Sequence, residues 1–452
     1  MKIAHVIHAF PPDSWAGSEN YAAALAREQQ RGGDEVVVFH RVSDPQRAEY
    51  ETSSGEAAGV PVVRLNRTFA DATGFRHTYR NDRVAERFGA FLERERPELV
   101  HFHHVTCLST SCVHEARRRR IPVVYTLHDF WLLCPRGQLL RRDLSLCDRH
   151  TRADCVRCMA YQVQIRGGHA QARQLLARAE RLTGLRVPRG LARRLASRPF
   201  AREDAALEEI AAREQEVREM CAEVSHFIAP SRFLAQRYIE FGIPAERISV
   251  SDYGFDVEAL RAAARSAPDP ASPLRVAYIG TWIPSKGVHV LIEAFREIDA
   301  RDATLEIHGY AVPYDGFDDY EGHLRRLAGG AASIRFRGAY EPRQTKALLE
   351  EADVVVVPSI WYENSPLTIH EAFLAGVPVI ASRQGGMQEL VEHGRSGLTF
   401  RPGDAQSLRE ALERLIRDRG LLAQLRSGIP PVKPIERDAA EIRSIYARLR
   451  AA

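Results

Sequence analysis

Short apolar runs rich in Val and Ile alternate with helical patterns along most of this 452-residue chain, and that rhythm restricts the fold more than any other feature. In the first half the runs predict strands at Lys2–Phe10, Glu35–His40, Val60–Leu65, Leu99–His104 and Val123–Asp129, with helices over Glu19–Arg31 and Arg83–Arg96. In the second half they predict strands at Leu274–Gly280, Thr304–Gly309, Ile334–Gly338, Val354–Pro358 and Val377–Ala381, helices between them, and a closing helix over Ile435–Arg450. A helix between successive strands makes the strands parallel. Unbroken apolar strands mean that both faces of each sheet are covered. The class is therefore α/β, with two Rossmann-like doubly wound domains. The Pro-rich stretch Pro268-Asp-Pro-Ala-Ser-Pro273 reads as the linker, giving domains at 1–268 and 274–430 and a terminal segment at 431–452.

The rhythm breaks between about 130 and 224. A cysteine-bearing loop runs to Cys158. Next, Arg166–Arg202 carries ten arginines and one acidic residue, Glu180, and an acidic helical pattern follows over Glu203–Glu223. This stretch reads as an inserted helical hairpin in the first domain. His226–Pro230 and Ser231–Phe241 then resume strand and helix. A net charge of +4 is small for this length and no RNA- or DNA-binding motif occurs, so nucleic acid is not an expected partner. The start, MKIAHVIHAFPP, is broken by His5 and His8 and does not read as a signal peptide. No apolar stretch approaches ~20 residues. The expectation is a cytoplasmic protein.

The strongest motif runs Ser359-Ile-Trp-Tyr-Glu363-Asn-Ser365-Pro366-Leu367-Thr368-Ile-His-Glu371. A buried strand ends before a loop holding Glu363. Ser365 suits a helix N-cap and Pro366 the first helical position. The helix start then offers amide N–H groups and a positive dipole end to a phosphate. Glu371, six residues past Ser365, lies about 9 Å deeper along the axis. A carboxylate there suits the paired hydroxyls of a ribose, and one at the mouth suits sugar hydroxyls beyond the pyrophosphate. Two solvated surface glutamates are the alternative.

In the loop Gly280-Thr281-Trp-Ile-Pro-Ser-Lys286-Gly287, after a strand, Lys286 can meet a pyrophosphate as a point charge. It is one of only four lysines among 63 basic residues, the others being Lys2, Lys346 and Lys433, so arginine is the default here and a lysine draws notice. Gly17 after the first strand permits close backbone approach to a ligand. His128 ends a strand, as do His103 and His104, and ligands of open α/β sheets gather beyond such ends. Gly385-Gly386 can turn amide N–H groups toward an anion, and Glu389 suits a cap of the next helix.

The run Ser359–Phe400 resembles the retaining glycosyltransferases of family four, which have the GT-B fold of two such domains facing across a cleft. The likeness rests on Glu363 and Glu371 in E-x7-E spacing, Ala375-Gly-Val-Pro-Val-Ile-Ala-Ser382, Gly385-Gly386, Glu389 and Gly394-Arg-Ser-Gly-Leu-Thr-Phe400. It extends over nearly the whole chain outside about 135–224. It implies transfer of a sugar from a nucleoside-diphosphate sugar to a hydroxyl of a glycan, a lipid-linked sugar or a small molecule, with retention, in cell-surface polysaccharide or glycoconjugate biosynthesis. No catalytic metal is implied. The resemblance puts Glu363 on the donor sugar, Glu371 on the ribose, Gly17 near the donor phosphates and Tyr340, after Gly338, near the base. It puts His128 near the transferred sugar and packs the final helix back on the first domain. Relatives usually carry an arginine where this chain has Thr281, which shifts phosphate neutralisation onto Lys286 and backbone amides. His128, Lys286 and Glu363 are thus the catalytic candidates. Ser365, Pro366, Leu367 and Thr368 join the donor site, and His103 and His104 belong to the acceptor side. A sugar phosphorylase, a sugar-nucleotide epimerase and a silent sugar-nucleotide binder are the competing readings.

Cys134, Cys147, Cys155 and Cys158 fall within 25 residues. Four thiolates can close a tetrahedral structural zinc site, and free thiols or disulfides are the alternatives. The arginine-rich insertion reads either as a solvated basic face or as a peripheral contact with an anionic membrane or carrier.

Overall fold

The computed structural model describes residues 1–163, 203–261 and 272–451. The N-terminal sheet is built from β1 Lys2–Ile7, β2 Glu35–Val42, β3 Thr52–Ala57, β4 Val60–Asn66, β5 Leu99–Phe102, β6 Val123–Thr126, β7 His226–Ala229 and β8 Ile248–Val250. Their order is β3-β4-β2-β1-β5-β6-β7-β8. Every neighbouring pair is parallel except β3–β4. Its helices are α1 Gly17–Arg31, α2 Asp82–Glu95, α3 Ser111–Arg118, α4 Arg152–Val163, α5 Glu203–Glu223 and α6 Arg232–Phe241.

The C-terminal sheet, ordered β11-β10-β9-β12-β13-β14, is parallel throughout. Its strands are β9 Leu274–Ile279, β10 Ala303–His308, β11 Ile334–Gly338, β12 Val354–Val357, β13 Val379–Ser382 and β14 Gly397–Phe400. The helices are α7 Val288–Phe295, α8 Tyr320–Ala328, α9 Thr345–Glu351, α10 Leu367–Leu374, α11 Ala405–Arg417, α12 Arg419–Ser427 and α13 Ile435–Ala451; single-turn helices are left unnumbered. Apolar clusters cover both faces of this sheet, as its all-apolar β12 requires. Two facing Rossmann-like domains of this kind make a GT-B fold.

Two sequence expectations change. The predicted strands end earlier than expected, at Ile7, Phe102 and Thr126, and the residues beyond them run into loops. The acidic helix α5, expected as part of an inserted hairpin, belongs to the core of the domain. It packs on α3 and α4 and buries Ala206, Ile210, Val217, Met220 and Cys221 in the same core as the sheet. Its Glu216 accepts from Thr110 Oγ1 at 2.8 Å and also meets Arg80 and His114. The whole arginine-rich stretch Arg166–Arg202 and the first four residues of the linker lie outside the described residues.

α13 crosses back onto the N-terminal domain. Ile435, Ile442, Ile445 and Tyr446 pack with Ile3, Tyr21, Leu25 and Leu99. Asp438, fully buried, accepts from Tyr21 Oη at 2.9 Å, Gly254 N at 3.2 Å and Lys433 Nζ at 2.6 Å. Removing that carboxylate strips three donors at once. Asp438→Ala is expected to cost about 3–5 kcal/mol of stability in denaturant unfolding. A loss below about 1 kcal/mol would mean that the crossing is held by apolar packing alone.

Candidate functional site

The site forms where the carboxyl ends of β9 and β12 open toward the N-terminal domain. Beyond β9, the turn Pro284–Lys286 ends at Gly287, whose φ is +69°. A Cβ there would meet the Pro358 carbonyl oxygen at 1.9 Å, so only glycine lets this turn lie against the end of β12. Ile360 N donates to Ser285 O at 2.9 Å and fixes the two loops together. Lys286 is thereby brought to Glu363.

Glu363 is buried, and its Oε1 accepts three hydrogen bonds, from Lys286 Nζ at 2.6 Å, Ser359 Oγ at 2.7 Å and Trp361 Nε1 at 2.9 Å. Among the described residues Oε2 accepts none, so a rigidly aimed oxygen is left for a ligand. The sequence motif contained Ser359 and Trp361 but gave no sign that both would grip this carboxylate. Lys286 also lies 5.7 Å from the centre of the Trp361 ring, and its side chain keeps 31% of its surface exposed. Thr281 supplies no charge; its carbonyl accepts from Tyr278 Oη.

α10 starts one residue later than the sequence suggests. Pro366 occupies the N-cap, without a side-chain cap. Ser365 was expected to cap it, but its hydroxyl donates instead to Asp252 Oδ1 at 2.6 Å, 2.7 Å from His370 Nε2. A charged acceptor outcompetes the helix amides for this hydroxyl. The amides at the start of α10 therefore carry no side-chain cap. α1 starts equally bare, with Ala16 at its N-cap. The two starts meet: a Cβ on Gly17 would lie 3.4 Å from Leu367 Cγ. Two positive helix ends thus converge across the cleft. Thr368, in the first turn of α10, reaches toward Ile279 O at 3.5 Å.

Glu371 stands a turn further into α10. Among the described residues its carboxylate has no hydrogen-bond partner. Burial raises its pKa from 4.5 to about 7. Tyr340, beyond β11, is close enough for that carboxylate to help raise its phenol, after burial.

His128, His103 and His104 do not offer ring nitrogens to a ligand. With every ring neutral, one chain of bonds satisfies them all. His5 Nε2 donates to Gln29 Oε1 at 2.7 Å, His103 Nε2 to His5 Nδ1 at 2.9 Å, His128 Nε2 to His103 Nδ1 at 3.1 Å, and Tyr253 Oη to His128 Nδ1 at 2.7 Å. A second branch runs from Gln29 through Tyr446 to His101 and Thr126. Burial holds His128 down at about 3 and keeps it neutral. The His128 carbonyl accepts from Asn364 Nδ2 across the cleft. His104 pairs with Asp129 at 3.1 Å and accepts from Thr106 N at 2.9 Å. His128 therefore meets the cleft as a ring wall, and His103, fully buried, and His104 belong to the interior.

The double glycine also differs from expectation. Gly386 N is spent on Glu363 O at 2.7 Å and is not offered to an anion. Glu389 does not cap its own helix. It crosses to the start of α6 and accepts from Arg232 N at 2.9 Å and Phe233 N at 2.7 Å. The cysteine loop also spans the cleft. Arg136 pairs with Asp315 at 2.7 Å, and Gln138 bonds Ser285 Oγ at 3.2 Å and Tyr314 Oη at 2.7 Å. No helix among the described residues is long and apolar enough to cross a membrane.

Comparison with known proteins agrees with this geometry. Residues 273–418 match the family "Glycosyl transferases group 1", and residues 15–164 match "Glycosyltransferase Family 4". The amylovoran biosynthesis glycosyltransferase AmsK of Erwinia amylovora is 32% identical over 193 residues, 41% of this chain and 46% of AmsK. A D-inositol 3-phosphate glycosyltransferase of Corynebacterium glutamicum is 34% identical over 186 residues, 38% of this chain and 44% of that protein. The chain thus spans less than half the length of these relatives. Among solved structures, HepE of Anabaena in complex with UDP and glucose aligns with TM-score 0.63 at 19% identity over 99% of both chains. Sucrose-phosphate synthase of Thermosynechococcus elongatus aligns with TM-score 0.67 at 18% identity over 100% of this chain and 99% of that one. With one family match in each half of the chain and the two-domain fold joining them, the protein belongs to the group 1, family four glycosyltransferases.

Proposed function

We propose that the protein transfers a glycosyl group from a nucleoside-diphosphate sugar to a hydroxyl, with retention of anomeric configuration. The observation that carries this reading is the pair of glutamates flanking an uncapped helix start: Glu363 with one free, fixed oxygen, and Glu371 half-buried with no hydrogen-bond partner among the described residues. In this reading the Glu371 carboxylate accepts the two ribose hydroxyls, with Tyr340 beside the base. The diphosphate lies between the amides of Leu367 and Thr368 and the start of α1 at Gly17. Lys286 neutralises charge growing on the leaving diphosphate, and such preorganised stabilisation is usually the largest catalytic contribution. Glu363 Oε2 orients the sugar, and His128 forms part of its wall. The complex of HepE with UDP and glucose supports a donor of this class, and the name of AmsK supports a role in polysaccharide biosynthesis.

The direct test incubates UDP-, GDP- and ADP-linked sugars with hydroxyl acceptors and follows nucleoside diphosphate release, with NMR of the product anomer. Acceptor-dependent release with retained configuration is expected. Donor conversion without acceptor would indicate an epimerase, dependence on inorganic phosphate a phosphorylase, and binding without turnover a silent module.

Glu371 adds a pH signature. Only its ionised form accepts two hydroxyls, and half of it is protonated near pH 7 before ligand arrives. Nucleotide affinity is expected to fall by up to about ten-fold per pH unit below 7, with a proton released on binding. Calorimetry in buffers of different ionisation enthalpy reads both. Glu371→Gln should abolish the proton release, and unchanged release in that variant would assign it elsewhere.

A further inference from the structure

We infer that Cys134, Cys147, Cys155 and Cys158 form a thiolate site for one structural zinc ion, which staples the loop that bridges the two domains. The four residues come from three pieces of backbone. Cys134 closes a turn, donating its N–H to Phe130 O at 2.7 Å. A hairpin follows, with an antiparallel bridge between Leu140 and Leu146, and Cys147 N donates to Leu139 O at 2.8 Å. Cys155 and Cys158 lie three apart on α4 and so share a face.

All four cysteines are free, and all line one cavity of about 20 Å³, together with Leu140, Met159, His150 and Asp154. A cavity needs roughly 10–15 Å³ to take a single water-sized body, so this one has room for one ion. Among the described residues no three of these sulfurs all lie within 4.8 Å of one another. A tetrahedral thiolate site with zinc–sulfur bonds of about 2.3 Å separates its sulfurs by roughly 3.8 Å, so closing on the ion draws the thiols together. Thiolates drawn together around one point repel one another unless a cation is among them, and soft sulfur donors select zinc among common divalent ions. The thiol protons leave to solvent on coordination.

What the ion would hold together is the contact between the domains. The hairpin has one bridge of its own, yet it carries Gln138 to Ser285 beside Lys286, Arg136 and Arg142 to Asp315, and Asp148 to Tyr362 beside Glu363. A staple at its base therefore bears on the donor side of the cleft; that consequence rests on the proposed function, whereas the metal site does not.

The test uses the full chain purified under reducing conditions. Plasma mass spectrometry should find about one zinc per chain, released by a thiol-modifying reagent. Exchange into cobalt(II) should give sulfur-to-cobalt charge-transfer bands and the visible bands of tetrahedral cobalt thiolate. Cys155→Ser and Cys134→Ser should each lose the metal and the spectrum, and Cys107→Ala should keep both. Metal-free protein with all seven thiols titratable on denaturation would overturn the inference. An intact mass lighter by two hydrogens per cysteine pair would overturn it in favour of disulfides. The cobalt spectrum is read on the unmutated protein, so a variant that fails to fold leaves the test standing.

Discussion

Acidification from pH 6.5 toward 5 is expected to remove a large part of the protein's folding stability, above the range in which most carboxylates titrate. His5, His40, His101 and His103 are fully buried. Burial lowers His5 and His40 from 6.5 to about 4, and holds His101 and His103 well below their ordinary value. These rings are neutral in the folded protein but take up protons in the unfolded chain below 6.5. The unfolded state therefore binds more protons, and stability rises with pH across this window and falls as pH drops through it. Four such groups give a slope of at most about 5 kcal/mol per pH unit, against a total of about 5–15 kcal/mol for a typical protein. Thermal melts at pH 7.5, 6.5 and 5.5 should show a small change over the first step and a fall of roughly four degrees over the second. A melting temperature flat down to pH 4.5 would show that the histidine chain takes protons without unfolding. His40→Asn, which stands outside that chain, should reduce the slope by about one proton.

The second large effect is on turnover. Lys286→Met is expected to lower kcat by about a hundred- to a thousand-fold, because it removes the cation nearest the proposed leaving group. Stability should change by about 1 kcal/mol or less, since the lysine is part-exposed and Glu363 keeps its bonds from Ser359 and Trp361. Lys286→Arg should recover only part of the activity, because a planar fork does not reproduce an ammonium held over Trp361 and beside Glu363. Steady-state kinetics with the accepted donor, paired with a melting curve, separates the two roles. Normal kcat with lowered stability would make Lys286 a structural partner of Glu363.

The parts legible in the sequence were those written in unbroken local pattern. The four valines of β12, the β-branched runs of β2 and β9, and the loop of Glu363 followed by the helix of Glu371 announce themselves by composition and spacing. β3 did not, because TSSGEA is polar and pairs antiparallel only at the sheet edge. β8 and β14 are too short to show periodicity. The packing of α5 is not legible because its buried stripe is interleaved with glutamates such as Glu216, which find partners only in the folded state. At the site, residue types were readable and pairings were not. Ser365 has the sequence of a cap, but Asp252, 113 residues away, takes its hydroxyl. Glu389 has the spacing of a capping-box acid, yet it serves a helix 156 residues earlier. The histidines at the ends of β5 and β6 read as ligand-facing until their partners Gln29, Tyr253 and Tyr446 come together from both ends of the chain.

Calorimetric titration of UDP, GDP and ADP into the unmutated protein and into Glu371→Ala tests the central claim most directly. The half-buried Glu371 carboxylate has no hydrogen-bond partner among the described residues, so its removal should leave the fold about as stable as before, and a loss of binding can be read as a loss of the site. One nucleotide is expected to bind at pH 8, with affinity lost or greatly weakened in the variant. Folded protein that binds none of the three, or a variant that binds as well as the unmutated chain, would contradict the donor site described here.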